Sequence, residues 1–268
     1  MTFIDLSVAS RMEGASAWRS AHYAQAQARL RPDTQSTVMA VGGGYAIYAG
    51  PGAPVNRAKA LGMSGPVTPE DLAAVARFYH SLGEAPRVDL CPLAHPSLLD
   101  LLKQEGYRLE HFHSILLLPF SEIPAPVAPP ADLEVRSVVS DEVWLPTVAQ
   151  GFAEEDTPPQ TMLDLLAPTF HSETATNFVA WVDGQPAGGG TLLVHEGVAE
   201  CCSASTRMAF RRRGVQTALL HARLEAARAA GCDLVMVITL PGSASQRNVQ
   251  RLGFQLAYTK AIMVGLPA

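Results

Sequence analysis

Cysteine and long apolar runs are both scarce in this 268-residue chain, and each scarcity removes a class of protein. The four cysteines, Cys91, Cys201, Cys202 and Cys232, form no CxxC pair and no ligand cluster with histidine. A disulfide scaffold and a metal site are therefore not expected. No stretch approaches the roughly 18–20 uninterrupted apolar residues of a membrane-spanning helix, so no membrane partner is expected. Met1–Asp5 lacks a basic region followed by an apolar run, so no secretory leader is expected and the location is read as cytoplasmic. The phosphate loop G-x-x-x-x-G-K-S/T is absent, which disfavours a nucleoside triphosphatase. What remains is 48% hydrophobic and 17% charged, enough apolar material for a core and too much for general disorder.

Charge is unevenly placed. Residues 1–120 carry 10 acidic and 10 basic side chains, residues 121–206 carry 13 acidic groups and only Arg136, and residues 207–268 carry 9 basic groups against Glu225 and Asp233. Solvated faces of opposite sign would explain this segregation; so would a site with an anion-holding half and a cation-attracting half. The net charge of −5 and the shortness of the basic stretch argue against nucleic acid as a partner.

The clearest boundary is Pro119–Ala131, whose five prolines remove backbone donors and favour an exposed, extended linker. It divides the chain into residues 1–120, a proline-rich linker at 121–131, and residues 132–268. The halves resemble each other weakly. Ser7-Val-Ala-Ser10 matches Ser137-Val-Val-Ser140, while Val88 to Val235 and Gly106 to Gly253 share an offset of 147. Their common order suggests duplication of one α/β unit. In the second half, strands are expected at Leu133–Val138, Asn177–Val182, Gly190–Val194, Val198–Thr206 and Asp233–Thr239. Helices are expected near Asp141–Phe152, Gln160–Leu166 and Val215–Ala230. In the first half, a long helix before Pro32 and a hairpin around Val41–Gly44 are expected.

The informative segment is Thr206–Leu220, Thr-Arg-Met-Ala-Phe-Arg-Arg-Arg-Gly-Val-Gln-Thr-Ala-Leu-Leu. It joins an apolar strand to a helix through three arginines and Gly214. Lack of a Cβ there lets backbone N–H groups approach a ligand, and a helix N-terminus favours an anion. The order strand, Arg211-x-x-Gly214-x-Gln216, helix, strand, short helix, Leu252-Gly-Phe254 resembles the GNAT superfamily of acyl-CoA-dependent N-acyltransferases. Their signature is R/Q-x-x-G-x-G/A, and only Gln216 departs from it. The resemblance covers residues 131–268 and reaches the first half only through the duplication. It implies an α/β (α+β) fold of two GNAT-like units, the first degenerate, each a mixed, mostly antiparallel sheet flanked by helices.

The same resemblance implies acetyl-CoA as co-substrate, with its pyrophosphate on Arg211, Arg212, Arg213, Gly214, Val215, Gln216 and Thr217. It places the pantetheine along Ala204, Ser205 and Thr206, where an N–H would polarise the thioester carbonyl. Transfer would be direct attack by an amine in a ternary complex, with no metal. The family's usual Tyr and Asn positions are occupied by Val249 and Gly242, so Tyr258, Ser245 and Asn248 are the substitutes for the acid or for cofactor contacts. Ser243–Gln246 fits a helix capping box. Glu200, on the strand leading to the thioester site, is the first candidate for general base, with His171 and His195 as alternatives. Cys201 and Cys202 alternate across one strand and fit small core positions better than an acyl-enzyme route. The acceptor is a small-molecule or peptide amine, and the acidic run Glu154-Glu155-Asp156 suggests a cationic one. The first half would complete the acceptor cleft or form a homodimer contact. A binding or sensing module without turnover, and a scaffold of two inactive halves, are the rival readings.

Overall fold

The computed structural model describes residues 3–123 and 129–267. Residues 124–128, the centre of the expected linker, lie outside the described residues. Immediately before them Phe120–Glu122 forms a single 3-10 turn.

The chain builds two compact units. The first opens with α1 (Leu6–Leu30), whose cap Asp5 accepts a hydrogen bond from Val8 N at 2.9 Å and whose inner face is rich in alanine. Then come β1 (Thr37–Val41), β2 (Gly44–Tyr48), β3 (Ala58–Lys59), α2 (Pro69–Ser81), β4 (Arg87–Leu90), α3 (Pro96–Gln104) and β5 (Arg108–Pro119). Gly42 and Gly43 both have positive φ, as a two-residue hairpin between β1 and β2 requires. β1–β2 and β2–β3 are antiparallel, and β3 runs parallel to β4. The core of this unit gathers Leu61, Leu72, Val75, Tyr79, Val88, Leu98 and Leu102.

The second unit contains β6 (Leu133–Val138), α4 (Asp141–Ala153), α5 (Gln160–Phe170), β7 (Ala175–Val182), β8 (Gln185–His195), β9 (Val198–Thr206), α6 (Val215–Ala229) and β10 (Leu234–Thr239). Strand order is β10-β9-β8-β7-β6, antiparallel except for the parallel β9–β10 pair. Asp183 and Gly184, both at positive φ, form the turn between β7 and β8. Trp144, Val148, Leu166, Phe170 and Val179 pack α4 and α5 onto one face. Each unit is thus a mixed, mostly antiparallel sheet flanked by helices. β8 is longer than the sequence suggests, because it already begins at Gln185 and takes in Gly188 and Gly189 before the expected start at Gly190. A Cβ at each of the three glycines would meet Ser205 O at 2.5 Å, Val148 Cγ2 at 2.7 Å and Arg223 Nη1 at 3.0 Å respectively. These glycines serve close packing on both faces of the sheet rather than a turn.

The chain ends with α7 (Ala244–Arg251) and β11 (Gln255–Val264). Here the structure departs from a division at the proline-rich segment alone. Ile238–Gln246, and the chain from Leu256 onward, group with the first unit, where β11 pairs antiparallel with β4. The Ser7–Ser10 and Ser137–Ser140 likeness is not structural. The former lies inside α1, whereas Ser137 is still within β6 and Ser140 caps α4.

Candidate functional site

β9 and β10 pair at only three positions, Leu234↔Val198, Val235↔Ala199 and Met236↔Glu200, although β9 continues to Thr206. Beyond Glu200, β9 bulges. Its pairing with β8 passes from Thr191↔Cys202 to Gly189↔Ser205, and Ser203 has a left-handed φ of 48°. A bulge bends its strand and interrupts the ladder, so the β10-facing edge of Ala204–Thr206 is left without a strand partner. Two of the three side chains are committed elsewhere. Ser205 Oγ donates to Val148 O at 2.8 Å, and Thr206 Oγ1 accepts from Gln216 Nε2 at 2.7 Å. This edge therefore offers main-chain groups to an extended ligand.

The loop that follows has a geometry that can hold an anion. After a 3-10 turn at Met208–Phe210, Arg212 and Gly214 both take positive φ, 64° and 81°, which turns successive N–H groups toward one side. Gly214 is the N-cap of α6 with no side-chain cap, and no acidic residue stands in the first turn. The helix's first N–H groups thus remain available to a phosphate. Val215 is buried and anchors the helix, while Thr217 is exposed beside it. Gln216, the departure from the family signature, ties the start of α6 to the end of β9.

The three arginines are not equivalent. Arg211 pairs with Glu154 at 2.7 Å, and Arg213 pairs with Asp132 and, at 2.9 Å, with Asp183. Among the described residues Arg212 makes no ion pair and is exposed. The opposite charges of residues 121–206 and 207–268 thus partly neutralise each other in the fold, including one carboxylate of the acidic run at Glu154.

Glu200 is buried at the last paired position before β9 and β10 part. Cys201 is buried and its thiol is pushed up by that burial, as a small core residue requires. His171 caps the end of α5 and bonds Asp141 at 2.9 Å, and His195 ends β8. Ser245 and Asn248 are exposed on α7. Ser243 accepts from Gln246 N at 3.2 Å, as the capping-box spacing predicts. Val249 is buried.

Tyr258 is committed to another set of partners. It belongs to the first unit, buried on β11, and donates to Glu13 at 2.8 Å. Burial, and then the Glu13 carboxylate, hold its proton far above the ordinary tyrosine range. The same carboxylate meets Lys260 at 2.8 Å, and Lys260 reaches Asp89 at 2.9 Å, which also meets Arg57 at 3.1 Å. Burial would push Lys260 down, but Asp89 and Glu13 outweigh it and hold it raised. Beside them Lys59 is pushed well down by burial and donates to Ser20 Oγ at 2.8 Å. A cavity of about 360 Å³ in this unit is lined by Arg57, Arg87, Glu84, Glu110, His111 and His113. Its charges are already paired, Arg57 with Asp89 and Arg87 with Glu110.

Two residues of consequence carry no motif. Arg223 is buried on α6, and Gly190 makes the room for it.

Residues 142–254 match the model of the acetyltransferase (GNAT) family. Among solved structures, a GCN5-related N-acetyltransferase from Kribbella flavida superposes with a TM-score of 0.65 at 17% identity, covering 93% of this chain and 96% of its own. A tandem GNAT protein from the clavulanic acid biosynthesis pathway gives 0.57 at 15% identity, over 74% of this chain and 69% of that one. A GCN5-related N-acetyltransferase from Sphaerobacter thermophilus gives 0.51 at 18%, over 69% and 62%. At such identities the likeness is one of fold. No curated relative matches the sequence.

Proposed function

Residues 142–254 form a domain of the acetyltransferase (GNAT) family within a tandem fold, and on that premise we propose that the protein moves an acetyl group from acetyl-CoA to an amine by direct attack in a ternary complex. The observation that carries this reading is the fork. β9 parts from β10 after Glu200, its free edge leads straight into the positive-φ loop, and the loop opens onto an uncapped helix N-terminus. These residues fit a long ligand with an anionic head and an extended, amide-bearing arm.

In this reading the N–H groups of the 211–217 loop bind the pyrophosphate, with Arg212 supplying the unpaired positive charge. The main chain of Ala204–Thr206 aligns the arm as an added strand would, and an N–H there polarises the thioester carbonyl. Acetyl-CoA supplies an acyl group already activated as a thioester. Glu200, at the fork, takes a proton from the acceptor's ammonium, directly or through one water, and so frees the neutral amine that attacks. The acceptor is a cationic amine, drawn by the acidic side chains of residues 121–206. Neither Val249 nor Tyr258 supplies the usual acid, so the leaving thiolate takes its proton from solvent or from an α7 side chain.

That missing acid is also what favours the second reading, an acyl-CoA sensor without turnover. Thiol release from acetyl-CoA, followed over a panel of small and peptide amines, separates the two. Turnover with an amine supports the transferase. Tight acetyl-CoA binding with no thiol release across the panel supports the sensor.

A further inference from the structure

A buried guanidinium is costly unless its donors are used, and Arg223, on the third turn of α6, is only 3% exposed. Its Nε donates to Leu219 O at 3.0 Å within the helix, and its Nη1 reaches Cys202 O on β9 at 3.4 Å. Cys202 is the last regularly paired residue before the bulge. Ser203 and Ala204 together oppose Gly190 alone, the two-against-one arrangement that interrupts a ladder. Gly190 clears the space. A Cβ there would stand 3.0 Å from Nη1, 3.1 Å from Cζ and 3.3 Å from Ala204 Cβ. A helix, a neighbouring strand and the bulge thus converge on one side chain that lies outside the family signature.

We infer that Arg223 is a positioning residue for the proposed reaction: by holding the Cys202 carbonyl it fixes the bulge at which β9 leaves β10, and so sets where Ala204–Thr206 present their main chain to the acyl arm. The inference rests on the functional reading above. Arg223 acts through the strand and need not touch the acyl group. The pyrophosphate loop lies on the first turn of α6, two turns away along the helix, so the two contributions are separable. Lysine keeps a donor and a charge but lacks the planar fork, and should replace arginine only in part.

The test compares wild type with Arg223→Met, Arg223→Lys, and Arg223→Ala with and without a low millimolar concentration of guanidinium chloride. Folding is checked by circular dichroism. Acetyl-CoA and CoA affinities are measured by calorimetry, and kcat and KM with the best amine found. In Arg223→Met the preference for acetyl-CoA over CoA should narrow and kcat should fall by about 10–100-fold, the scale of a small misplacement of reacting groups. CoA affinity should stay level, and KM for acetyl-CoA should rise by no more than the factor through which that preference narrows. Arg223→Lys should recover part of the loss, and guanidinium should recover part of it in Arg223→Ala. A folded Arg223→Met protein with wild-type kcat and wild-type acetyl-CoA preference overturns the inference. So does a loss that neither lysine nor guanidinium restores, which would mark a packing role. If Arg223→Met does not fold, the lysine and guanidinium arms decide. Wild type that binds no acetyl-CoA sinks the functional reading itself, and that result is read before any variant is made.

Discussion

Helices α2 and α6 hold the same place in their units, each the crossover between two parallel strands, β3 to β4 and β9 to β10. Their first turns are chemically opposite. α6 starts on Gly214 with an open N-terminus and an arginine-rich approach. α2 starts on Thr68, whose hydroxyl accepts from Asp71 N at 3.2 Å while the Asp71 carboxylate accepts from Thr68 N at 2.9 Å. Pro69 follows at N1 and has no N–H to offer. The Asp71 carboxyl is held below its ordinary value by the Thr68 hydroxyl and backbone, so the chain's own carboxylate takes the place that a phosphate would occupy. The strands repeat the contrast. β3 meets β4 at the single pair Ala58↔Val88, and the next positions are both buried, Lys59 against Ser20 and Asp89 in the ion network with Lys260 and Glu13. One topology therefore leaves an open fork in the second unit and a filled one in the first. The fold makes the fork, and the side chains decide whether anything can enter it.

The largest effect should come from making the open helix resemble the closed one. Gly214→Glu puts a carboxylate and a Cβ at a φ of 81°, where an L-residue costs roughly 1–2 kcal/mol, beside N–H groups otherwise free for a phosphate. Acetyl-CoA affinity should fall by about 100-fold or more, with the circular dichroism spectrum retained. The wild type should take up one CoA per chain in the same titration. Two equivalent sites would erase the contrast between the units, and unchanged affinity in a folded Gly214→Glu protein would remove the loop from the binding site.

The next effect concerns the filled fork. Lys260→Met leaves Glu13 and Asp89 buried with their shared cation gone, a change on the order of 3–5 kcal/mol. Denaturant unfolding should show the loss in the first unit's transition. CoA stoichiometry should stay at one, because α2 would still carry Asp71 and Pro69. Appearance of a second site would mean that the ion network alone closes the first unit.

A smaller effect is expected from pH. His113 is pushed down to about 3, by burial first and then by Arg57. A histidine depressed in the folded state adds stability above its unfolded pKa of about 6.5 and loses it progressively as pH falls toward 3. The first unit should therefore melt a few degrees lower at pH 5 than at pH 7. Replacement by the non-titrating His113→Gln should flatten that slope. A slope unchanged in His113→Gln would assign it to other groups, of which Asp89 is the nearest. Asp89 is held low by Arg57, Lys260 and Lys59 against its own burial, and releases its stabilisation only at more acid pH.

Much of this contrast was legible in the sequence where the signal is local. Leu133–Val138 and Val198–Thr206 are strands over the residues expected, because apolar runs there are bounded by turn residues. The 147-residue offset is structural as well. Val88 and Val235 lie on corresponding strands, and Gly106 and Gly253 take left-handed φ after the short helices α3 and α7. What was not legible depends on distant partners. Nothing near Tyr258 indicates that the chain rejoins the first unit at Leu256, so a residue proposed as a catalytic acid turned out to serve the buried network around Glu13. Gly188 and Gly189 lie outside the expected strand, which begins at Gly190, because a glycine carries no apolar side chain by which alternation could be read. The need of all three for small size comes from Val148, Ser205 and Arg223, none of them near in sequence. Arg223 had no motif at all, since its burial is decided by a glycine on another strand.

The smallest effect tests whether the acidic side of the second unit has a use beyond pairing with the loop. Glu154 is shared with Arg211, at 2.7 Å, with both side chains more than a third exposed, so that ion pair contributes well under 1 kcal/mol. Neutralising Glu154, Glu155 and Asp156 together should have two consequences of opposite sign. Arg211, released from its partner, should bind the pyrophosphate slightly better, so KM for acetyl-CoA should fall or stay level. The attraction for a cationic acceptor should weaken, lowering kcat/KM for cationic amines about 2–5-fold relative to neutral ones at low salt, on the scale of one or two screened charge interactions. That difference should fade as ionic strength rises and the Debye length shrinks from about 30 Å at 0.01 M to about 8 Å at 0.15 M. Steady-state kinetics with a matched cationic and neutral amine at the two salt concentrations measures both consequences at once. If the cationic preference and its salt dependence survive the triple change while the acetyl-CoA term shifts, Glu154 serves only the loop. The specificity for a cation would then have to come from Glu200 or from another carboxylate of residues 121–206.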